Sequence, residues 1–282
     1  MDAKLAGLSY YPIKSAAGIH VNEAVLEPRG LRYDRRWLVV DDAGMFITQR
    51  TVPKLALLKP VLDGHHLTLQ AHHKTPLTLP LTPPTPPTPP LTSPQTSPEH
   101  SEHMTVTIWN DTVPARLVSA EADAWLSEFL ETPVRLVAMP EESLRPIDPD
   151  YAQTDAHNIV SFADGFAVLV ISEASLTDLN SRLAEDLPMN RFRPNLVVRG
   201  VPAYAEDRWT TMHIGEAILR VVKPCVRCVV TTTNQTTLER GREPLKTLAS
   251  YRRALGGVIF GQNAVVVKPG KLELGMPITL SG

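Results

Sequence analysis

Cysteine is almost missing from this chain: of 282 residues, only Cys225 and Cys228 carry a thiol. Two thiols three positions apart cannot build the disulfide framework of a small secreted domain. Long apolar runs are missing too. No stretch reaches the about 18 apolar residues of a membrane-spanning helix, so no membrane span is expected. Neither sign of charge prevails, with 28 Lys and Arg against 30 Asp and Glu and a net charge of -2. That balance gives no electrostatic reason to expect nucleic acid or an anionic membrane surface as partner. The opening Met1-Asp2-Ala3-Lys4 lacks the apolar core of a secretory signal. These absences describe a soluble protein of a reducing compartment, with a cytoplasmic location expected.

What is present starts with apolar residues, 43% of the chain, enough to bury a core in one large or two modest domains. Proline is unevenly spread: residues 76–98 hold ten prolines, among them three tandem Thr-Pro-Pro units from Thr82 to Pro90. Proline lacks an amide proton and favours extended polyproline II, so residues 75–103 read as a flexible insertion. It has strand-like sequence on both sides, and the expectation is that it interrupts a sheet. The histidines around it, among them His65, His66, His72 and His73, flank a loop and read as solvated.

The remaining pattern is mostly β. Trp37–Val40 and Met45–Thr48 suit a hairpin across Asp41-Asp42-Ala43-Gly44, and Met104–Trp109 with Ala115–Val118 suit another. Ser119 is placed to cap a helix with Trp125, Leu126, Phe129 and Leu130 on one face. Ser172 is placed to cap a second, and a third is expected around Leu245–Arg253. Strands are expected at Leu196–Val198, Ala217–Val222, Val229–Thr233, Ala264–Val267 and Ile278–Leu280.

The segment Lys223-Pro224-Cys225-Val226-Arg227-Cys228 carries the most reactive chemistry. A zinc site would need two further ligands at matching spacing, and no second CxxC or HxxxH occurs. A thioredoxin-type pair should open a helix, whereas this one lies between two β-branched runs. A single thiolate ligand to a soft metal, with Lys223 and Arg227 nearby to favour the anion, is a third reading. Two structural cysteines are a fourth. Spacing alone leaves all four open.

Other segments carry a family resemblance. ISEASLTDLNSRL from Ile171, FRPN from Phe192, YAEDRW from Tyr204, CVRCVVTT from Cys225 and EPLKTLASYR from Glu243 follow one another as they do in MOSC proteins. Tyr11-Pro12-Ile13-Lys14-Ser15 and Gly30–Leu38 resemble the β-barrel domain that precedes MOSC in the amidoxime-reducing branch of that family. The resemblance spans nearly everything but the proline segment. It implies a mixed α/β, β-rich fold: an N-terminal β-barrel-like domain over 1–118, packed on a MOSC β-barrel domain with a few helices over 119–282.

The resemblance also implies a site. Cys228 would ligate the molybdenum of a molybdopterin cofactor, and Cys225 would not. Lys14, Ser15, Arg35 and Arg193 would hold the cofactor's phosphate, a group that guanidinium forks match. Asp164-Gly165-Phe166 would meet the pterin through backbone groups, and Asn195 would keep the clamp loop in shape. Arg227 and Asn263 complete the expected set, although Asn263 stands where the mitochondrial member has tyrosine. The implied reaction is two-electron reduction of small N-hydroxylated substrates such as amidoximes, hydroxylamines and N-hydroxylated bases. No cysteine follows Cys228, so electrons would come from a separate ferredoxin- or cytochrome b5-like protein with its reductase. Two competing classes are a carrier of the cofactor, or of a persulfide on Cys228, and a thiol–disulfide oxidoreductase needing both cysteines.

Overall fold

The computed structural model describes residues 2–81 and 103–282. In chain order the first half holds β1 (Lys4–Tyr10), β2 (Ile19–Val21), β3 (Glu23–Glu27), β4 (Gly30–Leu31) and β5 (Trp37–Val40). It continues with β6 (Lys59–Leu62), β7 (His66–Ala71), β8 (Lys74–Pro80), β9 (His103–Ile108), β10 (Asp111–Leu117) and helix α1 (Ala120–Leu130). Then come β11 (Arg135–Ala138), β12 (Val168–Ser172), α2 (Glu173–Asn180), β13 (Leu196–Arg199), β14 (Thr211–Ile214) and β15 (Ala217–Val226). Last are α3 (Leu245–Leu248), β16 (Arg253–Ala254), β17 (Gly257–Lys268), β18 (Gly270–Glu273) and β19 (Ile278–Ser281). The fold is β-rich with few helices, as expected.

Both expected serine caps are formed. Ser119 Oγ accepts from the Ala122 amide at 3.1 Å and Ser172 Oγ from the Ser175 amide at 3.1 Å, each satisfying an otherwise orphaned helical donor. Helix α1 packs Ala122, Leu126, Phe129 and Leu130 into a core shared with Ile13, Trp37, Leu55, Leu67 and Leu136. Strand β11 pairs with β5, so the sheet and core begun in the first 118 residues continue to Ala138. In the other direction, β1 and β2 join the sheet β19-β14-β15-β17-β12-β13-β1-β2, built otherwise from second-half strands. The antiparallel pairing of Leu8 with Leu196 is the link that matters for the site.

Four expectations need correction. Residues 75–80 are not a loop: they lie in β8, paired with β7, with Leu77 and Leu79 buried. Alternation decides this, since prolines 76 and 80 fall on exposed positions and cost the core nothing. Nor do the strands flanking the proline segment share a sheet. β8 belongs to β6-β7-β8 and β9 to β5-β11-β10-β9; residues 82–102, with their proline repeats, lie outside the described residues. Val229–Thr232 is a 3₁₀ turn, not a strand. Thr231 and Thr232 hydroxyls donate to the carbonyls of Cys228 and Val229 at 2.9 and 2.8 Å, the local bonding by which threonine competes with a ladder. Helix α3 ends at Leu248, because Arg253 and Ala254 are drawn into pairing with β17.

Candidate functional site

Five connecting segments and one strand converge on one cleft. Lys14 and Ser15 follow β1, and Arg35 lies in the turn before β5. Arg193 and Asn195 lie just before β13. Asp164, Gly165 and Phe166 precede β12, Asn263 sits within β17, and Arg227 and Cys228 follow β15. All eleven line the cleft, together with Arg50 and Cys225.

Backbone strain marks three of these residues. Ser15, Arg35 and Arg193 have φ of 68°, 49° and 56°, the left-handed region that non-glycine residues avoid. Asn195, 2% exposed, fixes two of the segments to each other. Its Oδ1 accepts from the Leu169 amide at 3.1 Å and from Arg35 Nη1 at 3.3 Å, while its Nδ2 donates to Ser9 O at 3.2 Å. Arg35 also donates to both oxygens of buried Asp34, at 2.7 and 2.6 Å. Arg193 Nη1 donates to Ala16 O at 2.7 Å. Burial pushes its guanidinium down to about 10, still charged at neutral pH. Among the described residues, the Nε and Nη2 groups of both arginines have no protein partner.

Lys14 is tied to the segment 162–164. Its Nζ donates to Phe162 O at 2.8 Å and to Asp164 Oδ1 at 2.6 Å. Burial pushes the ammonium down to about 8, against the pull of Asp164. Desolvation opposes ionisation of Asp164, but the Lys14 and Arg50 charges outweigh it and hold the carboxyl well below its usual range. The loop carrying Asp164 is held from beneath by buried Arg145, which donates to Ser161 O and Ala163 O at 2.9 and 2.6 Å.

The cysteines are separated by their partners. Arg227 Nη1 donates to Cys225 Sγ at 3.0 Å and its Nη2 to Phe192 O at 2.6 Å. Cys228 Sγ instead accepts from Arg50 Nη2 at 3.4 Å. That same nitrogen lies 3.3 Å from Asp164 Oδ2, and the guanidinium is stacked over Trp109 at 4.5 Å. Lys223 points away, with its Nζ 4.1 Å from the Tyr151 ring. The expected pair of cations at the thiols is therefore corrected: Arg227 serves Cys225, Arg50 serves Cys228, and Lys223 serves neither.

Arg50 and Trp109 were not found by reading the chain. Arg50 sits in a polar turn, and Trp109 reads as the end of a hairpin strand; only tertiary contact brings Arg50 to the sulfur and Trp109 to Arg50. Tyr204–Trp209, by contrast, packs the fold. Buried Glu206 accepts from the Ser172 amide at 3.1 Å and from Ser175 Oγ at 2.7 Å.

The cleft is lined by both thiols and by several cations. The family model "MOSC N-terminal beta barrel domain" matches residues 2–133 and "MOSC domain" matches residues 157–279. The chain is 36% identical to mitochondrial amidoxime-reducing component 1 of Homo sapiens, over 99% of this chain and 83% of that protein. The Mus musculus protein of that name is likewise 36% identical, over 99% of this chain and 82% of its own length. Molybdenum cofactor sulfurase of Oryza sativa subsp. japonica is 31% identical over 92% of this chain, which spans 32% of that protein. The chain belongs to the MOSC family, with an N-terminal MOSC β-barrel domain and a MOSC domain. Among the described residues, no helix is long and apolar enough to cross a membrane.

Proposed function

We propose that this protein is a molybdenum-cofactor-dependent reductase of N-hydroxylated compounds. The observation that carries the reading is Cys228: a free thiol lining the same cleft as Lys14, Arg35 and Arg193. The donor set fits the group. Molybdenum held by dithiolene sulfurs suits a soft thiolate, and the unpaired donors of Arg35 and Arg193 suit a phosphate. When bound, the cofactor supplies two-electron redox chemistry beside Cys228.

The chain's own residues then have distinct tasks. Arg35 and Arg193, with Lys14 and Ser15 lining the same cleft, bind the phosphate end. Gly165, where a Cβ would meet nothing within 4 Å, leaves room for the pterin along the 164–166 loop. Arg50 holds the Cys228 side chain in place, and Trp109 backs Arg50. Amidoximes, hydroxylamines and N-hydroxylated bases are the proposed substrates, and a separate redox protein the proposed electron donor. Relatives named amidoxime-reducing components support the substrate class.

Metal content by mass spectrometry and benzamidoxime reduction with an artificial donor test this on four proteins. Wild type should contain molybdenum and turn over. Cys228→Ala and Cys228→Ser should be inactive, since an alkoxide is a harder ligand than a thiolate. Cys225→Ala should keep its metal and most of its activity. A wild type that carries no molybdenum but a labile sulfur on Cys228 would make it a carrier. Equal loss at both cysteines would refute the single-ligand assignment.

A further inference from the structure

The two clamp arginines meet at one aromatic ring. The guanidinium carbon of Arg35 lies 4.3 Å from the Tyr11 centroid, and that of Arg193 lies 4.2 Å from it. Tyr11 is 3% exposed, and its hydroxyl donates to Pro194 O at 3.0 Å. Its backbone amide donates to Asp34 Oδ1 at 2.8 Å, the carboxylate that also holds Arg35. Gly18 leaves the ring its space: a Cβ there would come within 2.5 Å of Tyr11 Cε1.

Register explains the meeting. Leu8 pairs with Leu196, and the Ser9 amide donates to Asn195 O at 2.9 Å. Continuing that antiparallel count sets Tyr11 opposite Arg193. Arg35 is brought to the same ring because its amide donates to Tyr11 O at 2.8 Å.

Two guanidinium groups this close repel each other, and apart from the Asp34 carboxylate on Arg35 neither has a carboxylate partner in the cleft. An electron-rich face attracts both and holds them without occupying their donors. We propose that Tyr11 is a positioning residue of the anion clamp, keeping Arg35 and Arg193 together and their free donors aimed at a phosphate. The inference rests on the reading of this cleft as a phosphate-ended cofactor site. Without the ring, the arginines would have to be brought together by the anion itself, and its affinity would fall.

The test is pyrophosphate binding by calorimetry, with molybdenum retention after gel filtration as a second readout, on proteins with matched melting curves. Tyr11→Phe keeps the face and loses only the hydroxyl, so it should bind within about threefold of wild type. Replacing that phenylalanine with its 3,4,5-trifluoro analogue keeps the shape and drains the face, and should weaken binding roughly tenfold. Tyr11→Leu should weaken it at least as much. Pyrophosphate affinity that ignores fluorination, or falls fully with the hydroxyl, overturns the role of the ring while leaving the cofactor reading intact. A wild type that takes neither pyrophosphate nor molybdenum overturns both.

Discussion

Replacing Lys14 with methionine should change how stability depends on pH. Lys14 is 5% exposed, and burial holds its ammonium down to about 8 from an ordinary 10.5, even with Asp164 beside it. That depression corresponds to about 3 kcal/mol of native-state cost for keeping the group charged. The sign follows from proton counting. Below pH 8 the lysine is charged in both folded and unfolded chains, and the whole cost is present. Between pH 8 and 10.5 the folded protein releases its proton first, the unfolded chain binds more protons, and stability rises with pH. Above that window the cost is gone. Methionine has similar length and no charge, so the variant lacks this contribution, and other titrating groups cancel in the difference. Urea unfolding of cofactor-free protein from pH 7 to 10 measures it. Wild type should gain about 2–3 kcal/mol on the variant across that range. Parallel profiles would refute the claim that Lys14 is charged against its burial.

Asn195→Ala removes three hydrogen bonds from a buried side chain and leaves backbone partners at Leu169 and Ser9 to find others. It should cost about 2–4 kcal/mol in urea unfolding, and a change below about 0.5 kcal/mol would show that water replaces it. Arg50→Met should retain molybdenum yet lower kcat/KM for benzamidoxime roughly 10- to 100-fold, the worth of a charged hydrogen bond. Arg50→Lys should recover part of that loss, and a methionine variant within twofold of wild type would remove Arg50 from the site.

Local chemistry was legible where it is decided locally. Ser119 and Ser172 announce their helices because a cap is a contact within three residues. The hairpin of β9 and β10 is announced by its two strand-like runs, although its turn is Trp109-Asn110, with Asp111 already paired to Ile108. What misled is equally physical. Val229-Val230-Thr231-Thr232 has strand propensity, but two threonine hydroxyls bond back to nearby carbonyls and tighten the chain into a turn. Pro76 and Pro80 read as loop, yet on exposed alternate positions they coexist with buried Leu77 and Leu79. The motifs brought the eleven expected residues to one cleft, but not their pairings. Nothing near Arg50 in the chain points to a sulfur 178 positions away.

Those pairings depend on one strand contact. Tyr11, Lys14 and Ser15 follow β1, whereas Arg193 and Asn195 precede β13, and antiparallel pairing of these two strands is what sets the first group beside the second. Arg35 joins them through its bond to Tyr11 O, and Cys228 enters from β15 across β17. Neither half of the chain contains the cleft alone, so it forms only when β1 has docked on the second-half sheet. The left-handed backbone of Ser15, Arg35 and Arg193 fits that view. Such residues cost of order 1–3 kcal/mol each and persist only where their surroundings over-determine them. Glycine at 35 or 193 would relax the backbone and discard the guanidinium. At Arg35 that exchange would leave the buried Asp34 carboxylate without its cation, and at Arg193 it would leave Ala16 O without its donor, so the guanidinium contacts themselves help to hold these strained turns in place.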